Sequence, residues 1–459
     1  MSFVLYDITF LAIFLLFVII FLYTKKHNLK REGLLYLYKT KFGLKVIEGA
    51  AKKFSRILKP LQYLVIVSGY ALMGFMIWLL FRFAYLYITS PYVAKELKIP
   101  VVMPLIPYLP DIFKIDFLPP FYFTYWIVII AIIAIPHEFF HGIFAKLNNV
   151  RIKSTGFGFL GPFLAAFVEQ DDKQMQKSSK FSQLSILAAG TFANLLTGIF
   201  FGAILLLFFA SAFAPAGVYF NSYSMDAINI SSISSISNVT INNQAFLQIS
   251  AENKTYFADI SMFETIKQNG APYIIAYEES PAFNARLSGA IFEINGEKIT
   301  NYQQLNASLS SKSPGDVITI KTINEKSEIK EYEIRLAEKN GKAFLGIMFV
   351  DTISSKFLSW LHSLIAKVKE PFVFYQSKIG ELGIFINDLL LWIVLISFSV
   401  ALMNMLPAGM FDGGRFFYLS VLGITGSKKI AEKSFKYVTT LLLVLLAVML
   451  LKWVFAISF

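Results

Sequence analysis

The run His137-Glu138-Phe139-Phe140-His141 puts two imidazoles and a carboxylate at a spacing that a helix turns into one site. Residues four apart share a helix face, so His137 and His141 can offer ring nitrogens to a single metal ion. Glu138 beside them is placed to take a proton from an attacking water. The chain contains 4 His in all, so coincidence accounts poorly for the motif. The alternative is a polar patch satisfied by neighbouring helices. Against it, ionisable groups within an apolar span are costly and by default mark function.

Two histidines and a water leave Zn2+ one ligand short. The chain has no cysteine, which excludes a thiolate site, a disulfide framework and a Cys nucleophile. His27 and His362 fall in segments expected on opposite sides of the membrane, out of reach of the pair, so a carboxylate is the expected third ligand. Asp412 offers one, within Asn404-Met405-Leu406-Pro407-Ala408-Gly409-Met410-Phe411-Asp412-Gly413-Gly414-Arg415. Pro407 and the glycines break a helix, which is tolerable at membrane depth only where the freed backbone is buried in protein or faces a watery cavity. Alone, Asp412 reads equally well as a helix-stop residue or an acid of an inner loop; beside the His pair it reads as the missing ligand.

These residues need a scaffold, and composition says where it lies. With 56% hydrophobic and 16% charged residues and a mean hydropathy of +0.59, the chain fits a membrane protein and not a soluble globule. Runs of the roughly 20 apolar residues that cross a bilayer are read at about 3–23, 62–87, 121–145, 183–210, 385–406 and 437–457. The first is expected to stay as a signal anchor, since no basic stretch precedes it and no small-residue cleavage site follows it.

The basic segment from Lys25 to Lys59 sets that loop inside by the positive-inside rule. Counting from there, 88–120 and 211–384 lie outside, and 146–182 and 410–436 inside. The two further inside loops are also basic, through residues such as Lys146, Arg151, Arg415 and Lys428. Both half-sites then sit near the cytoplasmic ends of their spans, at similar depth in a multi-pass cell-membrane protein. The net charge of +12 is spread over the inner ends of spans, not gathered on one folded face, which argues against nucleic-acid binding. Part of 24–59, with Leu34, Leu35, Leu37 and Leu44 among lysines, reads either as an amphipathic helix on anionic membrane lipid or as a solvated basic loop.

The expected architecture is a polytopic α-helical membrane protein with an inserted extracytoplasmic α+β domain. Along the chain this gives 1–120 with two spans and the basic loop, 121–210 with the His motif, a hairpin and the next span, 211–277 as a β-rich external segment, 278–345 as a small α+β domain, 346–384 as an amphipathic linker, and 385–459 with the Asp412 span and the last one. In 221–254, alternating Ile228, Ile230 and Ile233 predict strands or an extended linker. Sequons at Asn229, Asn238, Asn253 and Asn306 would be accessible there.

From Ser280-Pro281-Ala282 a short helix is expected to Leu287, then a strand over Ile291–Ile294 with a turn at Asn295-Gly296. A helix near Tyr302–Leu309, a turn at Ser313-Pro314-Gly315-Asp316 and strands at Val317–Ile320 and near Glu331–Leu336 complete the segment. This order resembles a PDZ domain, which implies capture of an extended peptide or a C-terminus; the alternative is a small β-domain with no peptide ligand. Residues 353–384, with Phe357, Leu358, Trp360, Leu361, Leu364, Ile365 and Val368 between lysines, predict an amphipathic helix on the outer membrane surface or packed on the protein's own spans.

The pair H-E-x-x-H on one span and N-x-x-P-x-x-x-x-D-G on a later one resembles the site-2 protease family of intramembrane metalloproteases. Gly156-Phe157-Gly158-Phe159 through Gly161 to Glu169 resembles that family's membrane-dipping β-hairpin. Ala189-Gly190-Thr191-Phe192-Ala193-Asn194 resembles its small-x-x-x-Asn segment, with Thr191 where Pro is common. The resemblance implies zinc held by His137, His141 and Asp412, Glu138 as general base, Asn194 and Asn404 lining the cleft, and a filtering role for the PDZ-like domain. It also implies substrates that are transmembrane helices of other proteins. The first two spans and 221–277 lie outside it. A membrane-embedded zinc peptidase that cuts outside the bilayer would instead carry a Glu ligand and not require the Asn-Pro-Asp-Gly segment. A non-proteolytic receptor or chaperone of the same fold would have no need of Glu138.

Overall fold

The computed structural model describes residues 3–33, 35–89, 104–113, 115, 118–160, 163–241, 244–252, 254–260, 263–264, 266, 271–324, 326–350, 363 and 365–458. They fall into two units, Met1–Leu205 with Phe385–Phe459, and Leu206–Ile384.

In the first unit, six helices among the described residues are long and apolar enough to cross a membrane. They are α1 (Phe3–Thr24), α3 (Ser55–Thr89), α5 (Phe123–Leu147), α7 (Lys180–Ala212), α10 (Glu381–Asn404) and α12 (Lys428–Ser458). Shorter helices lie between them: α2 (Leu44–Lys53), α4 (Leu109–Ile112), α6 (Asp172–Lys177) and α11 (Asp412–Thr425). Small residues bring the central helices close together, as is usual where lipid gives no hydrophobic drive to associate. Ala188 and Ala189 of α7 are fully buried with Phe144 of α5 and Phe416 of α11.

Helix α5 starts without a side-chain cap from its own N-cap residue, Tyr122. A carboxylate from another span takes over that role. Asp7 of α1, 1% exposed, accepts from the N–H of Phe123 and of Thr124 at 2.8 Å each, and from the Thr124 hydroxyl and the Tyr108 phenol. Orphan donors at the positive end of α5 thus solvate a carboxylate in apolar surroundings.

The hairpin after α5 comprises β3 (Ile152–Leu160) and β4 (Phe163–Gln170); the tip at 161–162 lies outside the described residues. It belongs to a four-stranded sheet of order β1-β2-β3-β4, with β1 (Leu29–Glu32) and β2 (Leu35–Thr40). The reading of Leu35 and Leu37 as part of a lipid-lying helix or a loop is therefore corrected; Leu34 lies outside the described residues. The run Leu35-Tyr36-Leu37-Tyr38 suits a pleated surface, and β3 offers it an otherwise unpaired edge, with Tyr36 opposite Phe159 and Lys39 opposite Gly156. Gly156 permits the approach, since a Cβ there would stand 2.1 Å from the Tyr38 carbonyl oxygen. Lys39 also pairs with Glu169 at 2.7 Å. The amphipathic character falls on α2, which starts at Leu44 and buries Ile47 and Ala51. It packs on α5, where the Ile47 side chain lies over Gly142.

The second unit contains two main sheets. One has the order β7-β11-β10-β9-β8, from β7 (Met225–Asn229), β8 (Ile233–Ile241), β9 (Gln244–Ala251), β10 (Lys254–Asp259) and β11 (Tyr273–Glu278). Ile228, Ile249 and Ile274 lie in its core. Asn253 is outside the described residues. The other sheet has the order β15-β14-β12-β5-β19, with β13 (Glu297–Lys298) against β12. Its strands are β5 (Phe213–Val218), β12 (Ala290–Ile294), β14 (Val317–Ile323), β15 (Ile329–Arg335) and β19 (Val373–Ser377). Helices α8 (Pro281–Asn284) and α9 (Tyr302–Ser310) accompany it, and Leu305 of α9 joins Ile291, Ile318 and Ile320 in its core.

Two short pairs complete the unit, β6 (Ser222–Tyr223) with β18 (Ile347–Met348) and β16 (Ala337–Lys339) with β17 (Lys342–Phe344). Strand β19 corrects part of the helix expected over 353–384. Val373-Phe374-Tyr375 is β-branched and aromatic and pairs with β5, as such residues favour. Phe357, Leu358, Trp360, Leu361, His362 and Leu364 lie outside the described residues.

Two outcomes follow from this packing. Asp7→Ala strands the N–H groups of α5 and should cost about 2–3 kcal/mol, read as earlier loss of folded protein on heating in detergent; Asp7→Asn, which keeps an acceptor, should lose less. In the second unit, burial would raise the Glu278 carboxyl above its ordinary value of 4.5, but the Lys339 ammonium at 2.6 Å and the Ser224 hydroxyl outweigh it and hold the group lower. A lowered folded-state value stabilises fully above pH 4.5, and that contribution disappears as pH falls through the folded value. Acid titration of unfolding should therefore show a shallower loss below pH 4.5 in Glu278→Gln than in the unaltered chain.

Candidate metal centre

His137, Glu138 and His141 lie within α5, and Asp412 is the first residue of α11. Between α10 and α11 the chain leaves the helix, and several of its backbone groups find partners within the protein. Met405 N–H donates to the Leu402 carbonyl at 3.1 Å, Ala408 N–H to that of Leu406 at 2.7 Å, and Phe411 N–H to that of Ala408 at 3.1 Å. The Thr439 hydroxyl of α12 donates to the Pro407 carbonyl at 3.3 Å. This is the condition for irregular backbone among membrane spans. Gly413 and Gly414 let α11 begin directly on that turn, since a Cβ would stand 2.3 Å from the Met405 carbonyl carbon and from the Ala408 oxygen respectively. Asp412 is thereby set at a helix N-terminus, where a negative charge is favoured.

The two half-sites converge. His137 Nε2 and His141 Nε2 are 3.1 Å apart, and Asp412 Oδ2 lies 3.5 Å from the first and 3.2 Å from the second. A tetrahedral zinc with arms of about 2.0–2.1 Å separates its ligand atoms by about 3.3 Å, so this triangle has the size the ion requires.

The partners of the imidazoles point the same way. His141 Nδ1 donates to the Ile186 carbonyl of α7 at 2.7 Å, which leaves the Nε2 lone pair facing the triangle. His137 Nδ1 is 3.0 Å from the Asn194 side-chain amide nitrogen, while the buried Asn194 Oδ1 has no hydrogen-bond partner. With the amide turned over, Oδ1 accepts from Nδ1–H, and His137 Nε2 also presents a lone pair. Two facing lone pairs beside a carboxylate repel one another unless a cation lies between them, so the donor set fits a metal.

Two neighbouring elements complete the site. Gly190 of α7 crosses the imidazoles so closely that a Cβ would stand 2.3 Å from His141 Nε2 and 2.7 Å from His137 Nε2. Glu138 Oε2 accepts from the Val168 N–H of β4 at 2.9 Å. Glu138, Asn194, Asn404, His137 and Asp412 all line one cavity of about 380 Å3. Of the other histidines, His27 is exposed in the turn Lys26–Asn28, and His362 is outside the described residues. Sequence reasoning did not single out the Ile186 carbonyl or the Val168 N–H, because every residue carries such groups and only the fold selects which ones serve.

Asn194→Ala should weaken zinc binding by about 10–100-fold, the usual effect of losing a residue that orients a ligand. Gly190→Ala pushes directly on both ring nitrogens and should leave the purified protein without stoichiometric zinc. Elemental analysis with chelator competition measures both.

Comparison with known proteins agrees with this geometry. The chain is 33% identical over 190 residues to the uncharacterized protein MJ0971 of Methanocaldococcus jannaschii; the match covers 40% of this chain and 46% of that protein, so the chain spans about half the length of that relative. The family model described as Peptidase family M50 matches residues 125–450. That range takes in all three residues of the triangle, Glu138, the β3–β4 hairpin and α7, and it is most of the chain: the protein belongs to peptidase family M50, the site-2 protease family of membrane metalloproteases.

Proposed function

We propose that the protein is a zinc endopeptidase that hydrolyses peptide bonds within membrane-spanning segments of other membrane proteins. His137, His141 and Asp412 hold the zinc, Glu138 carries the proton, and Asn194 and Asn404 line the cleft. The triangle of two Nε2 atoms and one Oδ2 atom, 3.1–3.5 Å on a side, carries this reading, because it joins α5, a helix apolar enough to span a bilayer, to the start of α11, which follows another such helix, α10.

A transmembrane helix ties up its own amides, so cutting it requires local unwinding and a new partner for the freed groups. Strand β4 supplies one. Its inner edge pairs with β3, and the outer edge of β3 is closed by β2, so the edge of this hairpin left to pair is that of β4. Val168 N–H points at Glu138; with the two-residue period of a strand, the N–H and C=O of Ala166 face the same way. Leu164, Ala165 and Ala166 line the cavity. An unwound substrate pairs there as an added strand.

Zinc at the triangle supplies Lewis acidity, polarising the scissile carbonyl and making water nucleophilic at neutral pH. Glu138, oriented by Val168 N–H, takes the proton from the attacking water and delivers it to the leaving amine nitrogen. Asn194 is committed to His137, which leaves Asn404 of α10 to steady the developing oxyanion. The basic loops orient the site towards the cytoplasm and the second unit to the other side. There the PDZ-like segment 278–345 takes peptide ends or filters substrates; the succession of α8, β12, α9, β14 and β15 supports this.

Glu138→Gln should keep fold and zinc yet lower cleavage of a membrane-embedded reporter by at least about a hundredfold. Cleavage at the unaltered rate rejects the role of Glu138. A binding-only protein would carry no stoichiometric zinc, and His137→Ala would then leave its metal content unchanged.

A further inference from the structure

The cavity at the metal centre has two ends of different chemistry. Polar residues around His137 and Asp412 line one part, and the apolar residues that line it include Ile129, Ile133, Ile396, Val400 and Leu105. On α5, Ile129 precedes His137 by eight residues, about 12 Å at a rise of 1.5 Å per residue. On α10, Val400 and Ile396 precede Asn404 by one and two turns in the same way. Hydrolysis needs only the polar end. The remaining length matches about three residues of an extended chain.

Leu105 comes from the connection between α3 and α5, not from a span, and that connection is pinned to three spans. The Trp126 indole N–H donates to the Leu105 carbonyl at 3.0 Å. Tyr108, held in the left-handed region at φ 64°, donates its N–H to the Phe121 carbonyl at 2.7 Å and its phenol to Asp7. The Trp392 indole N–H of α10 donates to the Pro120 carbonyl at 3.1 Å. Leu105 itself packs on the core formed by Trp126, Ile129, Ile133 and Ile396. It is a fixed wall of the cavity.

We propose that Leu105 closes an apolar subsite, walled by Ile129, Ile133, Ile396 and Val400, that selects a large aliphatic side chain within three residues of the scissile bond. This rests on the endopeptidase reading above. Leu105 touches the substrate side chain and no reacting atom, so it determines specificity and not rate.

The test uses the full-length protein in nanodiscs and a membrane-embedded reporter helix carrying Ala, Leu or Phe at each of the three positions on either side of the cut, mapped by mass spectrometry. The unaltered protein should favour Leu over Ala at one position by about tenfold or more. Leu105→Phe should shorten the subsite and invert that ratio, and Leu105→Ala should extend the preference to Phe. Ile396→Ala, which opens the opposite wall, should act like Leu105→Ala and covers the case in which a Leu105 variant does not fold. In parallel, peptidyl hydroxamates bearing Ala, Leu or Phe are ranked by affinity, a readout independent of turnover. Hydroxamate ratios unmoved by the Leu105 and Ile396 variants overturn the subsite. Ratios that move while the unaltered protein cuts no reporter leave the subsite standing and reject the endopeptidase reading.

Discussion

Polar groups among apolar helices must find their partners inside the protein, and that demand organises the membrane unit. A carboxylate and two imidazoles are costly to bury singly. As a set they become tolerable: the Ile186 carbonyl takes the far nitrogen of His141 and the Asn194 amide takes that of His137, so the near nitrogens and Asp412 are placed where one cation could join them. The same demand explains Asp7, which is accepted in the bundle because α5 offers it two free N–H groups. Remove the partner elements and neither the site nor the start of the helix that carries it keeps its geometry.

Close approach of backbones is the second condition. Gly190 lets α7 lie against the imidazoles, Gly413 and Gly414 let α11 start on the buried turn after α10, and Gly156 lets β2 reach β3. Each removes a side chain where another element needs the space. The metal-binding geometry is therefore set as much by missing Cβ atoms as by the ligands themselves, because a helix moved outward by the width of a methyl group carries its ligand with it.

What was legible in the sequence was local chemistry or long apolar runs. His137, Glu138 and His141 advertise themselves by spacing, Asp412 by the broken helix around it, and the spans by length. The elements from Pro281 to Arg335 were legible through their turn residues. Strands β1 and β2 were not, because a four-residue run such as Leu35-Tyr36-Leu37-Tyr38 carries no period that separates strand from helix, and its partner lies far along the chain. The backbone groups of Ile186 and Val168 and the side chain of Leu105 have no signature of their own. Only tertiary placement turns them into parts of a site.

The pairing of Tyr36 with Phe159 joins residues more than a hundred positions apart. During synthesis the first hairpin is made and left with an open edge while α3 and α5 are still being inserted, and closing so long a loop carries an entropic cost met only when β3 arrives. The sheet is thus whole before α7, α10 and α11 are made, and the triangle with His137 and His141 closes only when Asp412, far later in the chain, reaches α5.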